Sequence, residues 1–369
     1  MFIALLGRQP EISIAELEAV FSQSNVRRLN DNFAQVESDD FDIDRLGGSL
    51  KCGLVIDQIN SIPNDQASLK KATDLIIEHY SKRLASSSGK VTLGISAYNL
   101  DVSGRQVQKI GLILKSRLKK AGTSLRLIPN DQPDLSTATS HHNKLGRAER
   151  KIEIIVLKTS DRRLIIAESR GTQNITAYTI RDRHRPKRDA FVGMLPPKLA
   201  QIMINLATKG DDSGLILDPF CGTGTVLQEA LLIGLDVTGS DLSQKMVDYT
   251  AANLDWLKNK FDPKAQVKDI KLADATTAKW QNADQISAVV CEAYLGQPFS
   301  APPSPDKLKQ VVGNCNHIIS EFLTNIHSQL APQTPLCIAV PAWQSKDSSF
   351  THLPLIRQLE KPQVKIVVK

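Results

Sequence analysis

The chain reads as an α/β protein, a mostly parallel sheet with helices on both faces, preceded by smaller α+β segments. Two observations predict this. Beyond residue 197, short apolar runs alternate with stretches of helical periodicity, the pattern of strands joined by crossover helices. Within that half, residues 215–241 read L-I-L-D-P-F-C-G-T-G-T-V-L-Q-E-A-L-L-I-G-L-D-V-T-G-S-D, an apolar strand, a glycine turn, an amphipathic helix, a second strand and a terminal acid.

In order, residues 2–6 are an apolar strand and residues 13–21 a helix, with Ser13 as N-cap and Glu16 completing a capping box. Strands follow at 32–37 and 51–59. Next come a helix at 69–84, a serine-rich loop at 86–89, a strand at 91–97, a helix at 105–121 and a short strand at 124–128. Residues 129–143 are turn-rich, and strands at 152–157 and 164–168 complete the segment. Residues 178–189 are too charged and proline-broken for an interior element. Pro196 and Pro197 then introduce a helix at 198–207 whose Leu199, Ile202, Met203 and Leu206 share a face. Strands at 215–217, 236–240, 267–272, 287–291 and 336–340 alternate with helices at 223–233, 244–259 and 305–330. Only 353–359 and 364–368 remain for the tail, so an edge strand is expected to be short or missing. The domain bounds expected are 1–62, 63–175, a basic linker at 176–197, and 198–369.

With 369 residues and 41% hydrophobic content, the chain can build two or three ordinary cores. Its five cysteines, Cys52, Cys221, Cys291, Cys315 and Cys337, form no C-x-x-C pair, so neither a disulfide framework nor a metal site is predicted and a reducing cytoplasm fits. The histidines likewise lack metal spacing. No apolar run reaches the roughly 20 residues of a membrane span. The net charge of +7 is unevenly spread: residues 1–104 carry −4, residues 105–190 carry +12 and the rest −1. A basic block beside a neutral unit suits a polyanionic partner such as a nucleic acid.

The glycine turn indicates a nucleotide-cofactor site. Gly222 and Gly224 let the backbone turn sharply and approach a ligand, and the helix that follows offers free N–H groups. Asp241 closes the next strand, where an acid holds ribose hydroxyls. A dinucleotide fingerprint requires a third glycine, but Leu227 stands there, which favours S-adenosylmethionine. Asp274, after the strand at 267–272, is placed to accept from an adenine amine. The cofactor-binding set is thus Asp218, Phe220, Cys221, Gly222, Gly224, Asp241, Leu242, Asp274 and Ala275.

D-P-F-C-G-T-G resembles the first motif of class I methyltransferases that act on exocyclic amines. L-G-R-Q-P at 6–10, S-I-A-E-L at 13–17, Lys144-Leu145, Arg181-Asp182, Arg185-Pro186 and G-M-L-P-P-K-L-A at 193–200 extend the likeness along nearly the whole chain. Together they resemble the THUMP-domain tRNA guanine-N2 methyltransferases, more narrowly their bacterial members. The resemblance implies a ferredoxin-like domain, a THUMP domain that grips structured tRNA, and a C-terminal Rossmann-like methyltransferase. It further implies a guanosine near the base of the D-arm as target.

The family's [N/D]-P-P-Y motif is replaced here by Glu292-Ala293-Tyr294-Leu295. An exocyclic amine has its lone pair delocalised into the base, so two acceptors must hold its N–H groups and aim the nitrogen at the methyl sulfonium. Glu292 and the Ala293 carbonyl are the catalytic acceptors expected, and Tyr294 the ring that stacks the extruded base. The tRNA contacts expected are Lys144, Arg181, Arg183, Arg185, Lys187 and Arg188. Two other readings are a methyltransferase acting on ribosomal RNA or a DNA base amine, and a non-catalytic RNA-binding protein with a retained cofactor fold. A nucleophilic cysteine at Cys221 or Cys291 is disfavoured by the motif around it.

Overall fold

A computed structural model describes residues 1–84, 89–189, 194–297, 299, 302–345 and 348–359. The loop expected at 86–89 (except Gly89), the Gly193 of the family string and the strand expected at 364–368 lie outside the described residues. The chain divides into two compact units, Met1–Ala177 and Tyr178–Lys369.

The first unit comprises β1 (Phe2–Leu6), α1 (Pro10–Phe21), β2 (Val26–Arg28), β3 (Phe33–Val36), β4 (Ser49–Asn60), α2 (Asp65–Leu84), β5 (Val91–Tyr98), α3 (Gly104–Lys120), β6 (Leu125–Leu127), α4 (Thr137–His142), β7 (Lys151–Lys158) and β8 (Arg163–Thr172). Its strands form one sheet in the order β2-β3-β1-β4-β8-β7-β5-β6. The boundary expected at residue 62 follows β4, which pairs antiparallel with β8 from Lys51↔Thr172 to Asn60↔Arg163. Residues on both sides of that boundary therefore share one sheet.

Several local expectations are corrected. Helix α1 begins at Pro10 rather than Ser13, because proline is pre-shaped for a helix's first turn. The Ser13 hydroxyl instead donates to Gly48 O at 2.8 Å, and the buried Glu16 carboxylate accepts from Gly47 N and Gly48 N at 2.9 and 2.8 Å. The pair pins a loop rather than capping a helix. A capping box does exist on α3, between Ser103 and Gln106. The turn-rich stretch contains α4, capped by Ser136.

The linker is corrected too. Residues Ile175–Arg183 form α5, so part of the charged stretch is helical and contributes buried side chains.

In the second unit, α6 (Pro197–Thr208), β9 (Leu215–Asp218), α7 (Thr225–Ile233), β10 (Asp236–Asp241), α8 (Gln244–Phe261), β11 (Val267–Leu272), β12 (Ile286–Glu292), α9 (Pro305–His327) and β13 (Leu336–Ala339) build an α/β fold, followed by β14 (Trp343–Gln344), β15 (Phe350–Thr351) and α10 (Pro354–Leu359). The main sheet has the order β11-β10-β9-β12-β13 and all four pairings are parallel. Its core is apolar on both faces: Ile216, Val237, Ala288 and Val290 pack with α6, α7 and α8 residues, whereas Leu217, Val289 and Phe322 lie in a second cluster. Among the described residues no helix is long and apolar enough to cross a membrane.

Candidate active site

Strand order sets the place of the site. From β9 the chain adds β10 and then β11 on one side, and afterwards β12 and β13 on the other. Ligands of open parallel sheets bind at such a reversal, here the carboxyl ends of β9 and β12, where Asp218 and Glu292 close their strands.

The glycine turn is built by short backbone bonds. Cys221 N donates to Ser240 O at 2.9 Å and Gly224 N to Cys221 O at 2.7 Å. Gly222 and Gly224 have φ of +51° and +83°, a region costly for residues with a Cβ. They differ in surroundings. A Cβ on Gly224 would lie 3.1 Å from Thr250 Cγ2, whereas one on Gly222 would meet nothing nearer than Phe220 O at 4.0 Å. Gly222 thus leaves open space for a ligand, and Gly224 lets helix α8 approach.

Leu227, the residue that breaks the dinucleotide fingerprint, is fully buried against β10. A Cβ on Gly239 would come within 2.8 Å of Leu227 Cδ1. The glycine needed for close helix–strand packing has moved from helix to strand.

The Asp241 carboxylate accepts from Gly222 N through Oδ2 and from Ser243 N through Oδ1, both at 2.9 Å. These bonds hold it at the rim beside the turn. Asp218 is 2% exposed and accepts from Phe220 N at 3.1 Å. Burial pushes its carboxyl well above the usual range, and the Asp241 and Glu292 charges push the same way. A cluster of acids complements a ligand carrying sulfonium and ammonium charges, and the open face of Gly222 admits it. The residues present therefore fit S-adenosylmethionine.

Asp274 is exposed at the end of β11, its Oδ1 accepting from Thr276 N at 2.9 Å and Thr276 Oγ1 at 2.7 Å. The Thr276 side-chain bond is the main reason its carboxyl lies below the ordinary range. Ala273 N donates to Asp241 O at 3.0 Å, tying the ends of β10 and β11 together. Ala275 is buried and Leu242 is 74% exposed, an unusual exposure for leucine at a strand end. Phe220 sits edge-on to Phe322 with centroids 5.1 Å apart.

At the end of β12, Ala293 N donates to Ala339 O at 3.0 Å, a bond the family's proline at this place cannot make. The sheet itself, rather than a proline ring, fixes the backbone here. Tyr294 is 41% exposed next to half-buried Glu292. Cys221 and Cys291 are buried, and burial pushes both thiols well above their usual value, so neither is a thiolate.

Two of the expected RNA contacts are corrected. Arg181 is buried and forms a two-pronged ion pair with Glu229, Nε to Oε1 at 2.6 Å and Nη2 to Oε2 at 3.0 Å. Arg185 is 3% exposed and donates to Thr225 Oγ1 at 2.7 Å. Both reach residues of α7, Glu229 and Thr225. Arg183, Lys187 and Arg188 are exposed, as is Lys144 in the first unit.

Sequence reasoning missed Glu229, Thr250 and Asn253. Thr250 Oγ1 donates to Gly222 O at 2.8 Å. Asn253, fully buried, donates to Thr223 O and Lys187 O at 2.9 and 3.0 Å and accepts from Lys187 N at 2.9 Å. The available signal was polarity at core spacing: Thr250 and Asn253 share the face of α8 that carries Met246, Val247, Leu254 and Leu257.

Residues 185–348 match UPF0020, an RMKL-like methyltransferase domain, and residues 54–253 match N6_N4_Mtase, a DNA methylase model. The chain belongs to the methyltransferases. Its relatives include the tRNA (guanine(10)-N2)-dimethyltransferase of Methanothermobacter thermautotrophicus, 32% identical over 47% of this chain and 47% of the relative. The enzyme of the same name from Methanocaldococcus jannaschii is 26% identical over 54% of this chain and 55% of the relative. The methyltransferase thus spans about half the length of the curated relatives it matches. Solved structures aligned to it include an rRNA methylase from Streptococcus thermophilus, at 14% identity and TM-score 0.30, covering 46% of this chain and 84% of that one.

Proposed function

We propose that this methyltransferase transfers the methyl group of S-adenosylmethionine to the exocyclic N2 amine of a guanine in tRNA. Bound in the crevice, the donor would supply an electrophilic methyl on a sulfonium. The observation that carries the reading is the joint placement of the Gly222 turn, Asp218, Asp241 and Glu292 at the carboxyl ends of adjacent parallel strands, with Tyr294 beside them.

In this reading Glu292 and the Ala293 carbonyl accept the two N–H groups of the target amine and orient its nitrogen. The carboxylate takes a proton late, since the amine becomes acidic only after it has attacked. Tyr294 offers an exposed ring for an extruded base. Residues 1–62 and 63–175 are read as ferredoxin-like and THUMP segments that grip structured RNA, and the +12 charge of residues 105–190 supports this. Residues 176–197 are read as the basic connection, with Arg183, Lys187 and Arg188 as its phosphate contacts and Lys144 as a further one in residues 63–175, and residues 198–369 as the transferase.

The DNA-methylase match supports one second reading, a base amine in DNA as acceptor. Incubating the protein with methyl-labelled donor and, separately, total tRNA, ribosomal RNA or DNA separates these acceptors. Label recovered as N2-methylguanosine in tRNA alone supports the proposal; label in adenine or cytosine of DNA, or none anywhere, overturns it.

A further inference from the structure

Lys245, Tyr249 and Asn253 recur at every fourth position of α8, so they share one stripe of the helix, and each meets residues 187–189. Lys245 Nζ donates to the buried Asp189 carboxylate at 2.6 Å. The Lys187 ammonium lies 5.6 Å from the centre of the Tyr249 ring. Asn253 holds the Lys187 backbone by both its N–H and its carbonyl, at 2.9 and 3.0 Å. Segment and helix therefore run side by side in opposite directions.

The stripe carries more than packing requires. The Lys245 ammonium also lies 5.3 Å from the centre of the Tyr249 ring, so two ammoniums attend one half-buried ring. Each gains from the ring's negative face, but the pair sets like charges near each other. Lys245 has Asp189 as its counter-charge, whereas Lys187 forms no ion pair among the described residues and is exposed, as is Arg188 beside it. Asp248, the acid next to Tyr249 on α8, accepts from Gln244 at 2.8 Å. Thr250, which follows Tyr249, donates to Gly222 O at 2.8 Å, so the stripe lies one helix position round from the glycine turn.

We infer that Lys187, Tyr249 and Lys245 form a site for one unpaired nucleotide of the RNA, a neighbour of the one to be methylated. This deepens the proposed function and rests on its RNA acceptor. The base stacks on the Tyr249 ring and the phosphate sits between the two ammoniums, which replaces their mutual repulsion with attraction to a shared anion. Because Asn253 fixes the Lys187 backbone at both its N–H and its carbonyl, less freedom is lost when the lysine engages. An RNA duplex offers phosphates but keeps its bases stacked within, so the site distinguishes opened RNA from paired RNA. Chemistry that extrudes a base leaves such an opened neighbour.

The test uses fluorescence anisotropy on the full chain with two probes, a single-stranded RNA oligonucleotide and a blunt-ended RNA duplex. In Tyr249→Leu, affinity for the single strand is expected to fall about 5- to 100-fold, the range of base stacking on an aromatic ring, while affinity for the duplex stays within about twofold. Tyr249→Phe keeps the ring and recovers the loss. Lys187→Gln lowers single-strand affinity and reduces the slope of log affinity against log salt by about 0.7, the share of one phosphate contact. Affinity for S-adenosylhomocysteine, read by calorimetry, stays within about twofold in these variants, which separates the site from that of the donor. Unchanged single-strand affinity in Tyr249→Leu, or equal losses for the two probes, overturns the assignment. Should Tyr249→Leu not fold, Lys187→Gln and ultraviolet cross-linking of the wild type decide: a single strand attached at Tyr249 supports the site, and one attached only elsewhere overturns it. Wild-type protein that binds neither probe overturns the RNA acceptor of the proposed function itself, an outcome distinct from the loss of single-strand preference.

Discussion

Replacing Arg181 by methionine separates a structural arginine from an RNA-binding one. Its guanidinium makes two bonds to Glu229, which is 2% exposed, and stacks over the Tyr178 ring with its centre 4.5 Å from the centroid. Methionine keeps much of the apolar contact but leaves Glu229 buried without its ion-pair partner, with only the unbonded charge of Arg185 still reaching it. Burial already raises the Glu229 carboxyl, and Arg181 is the largest influence opposing it. Without the arginine, Glu229 would take up a proton on folding. At pH 7, protonating a carboxyl whose unfolded value is about 4.3 costs roughly 3.7 kcal/mol. That agrees with the roughly 3–5 kcal/mol found when one partner of a buried pair is removed.

The sign of the pH dependence follows. In the variant, the folded Glu229 has a raised pKa, so the stability linked to its proton is complete below the unfolded value and lost as pH rises above it. The deficit relative to wild type should therefore shrink on acidification, by about 2 kcal/mol between pH 7 and pH 5.5. Urea denaturation of the wild type, Arg181→Met, Glu229→Gln and the double variant measures it, and the double variant should recover most of the loss. A variant that unfolds like the wild type at both pH values, yet binds tRNA with a reduced salt dependence, would falsify the buried-pair account.

Other predictions concern the turn and the acids. Gly224→Ala forces a Cβ into the left-handed region and toward Thr250, at a cost of about 1–2 kcal/mol for the backbone alone, and should abolish S-adenosylhomocysteine binding by calorimetry. Asn253→Leu removes three hydrogen bonds, one buried and two part-buried, and should lower stability by about 2–4 kcal/mol in urea melts; a loss below about 0.5 kcal/mol speaks against its clamping role. Asp218→Asn retains an acceptor for Phe220 N and removes a buried charge. Because the folded Asp218 pKa is raised, the ligand-free wild type loses stability as pH climbs above about 4, so the variant's advantage in thermal melts should grow from pH 4 to pH 8. Glu292→Gln should leave S-adenosylhomocysteine affinity intact and slow single-turnover methylation at least about 100-fold; an unchanged rate removes Glu292 from the reaction.

Much of the second unit was legible because its signals are local. The glycine turn needs left-handed φ at Gly222 and Gly224, the strand at 215–217 is an apolar run that leads into Asp218, and the strand at 236–240 leads into Asp241. Charge proved a weaker guide. A run of arginines in sequence predicts exposure, but Arg181 on α5 and Arg185 just beyond its end turn inward to residues of α7, while Arg183 and Arg188 stay in solvent. Ser13 and Glu16 fit the spacing of a capping box, yet Pro10 begins the helix earlier and frees both to bind Gly47 and Gly48, more than 30 residues away in sequence.

By itself the sequence determined the α/β class, the glycine turn and the acids that end the strands, since each follows from backbone conformation or periodicity over a few residues. Tertiary structure alone decided that residues 1–177 share one sheet, that Gly239 rather than a helix glycine accommodates Leu227, and that Arg181 and Arg185 serve the interior. Those outcomes depend on which distant segments meet, and burial changes what a charge does: in water it waits for a partner, whereas in the core one must be supplied.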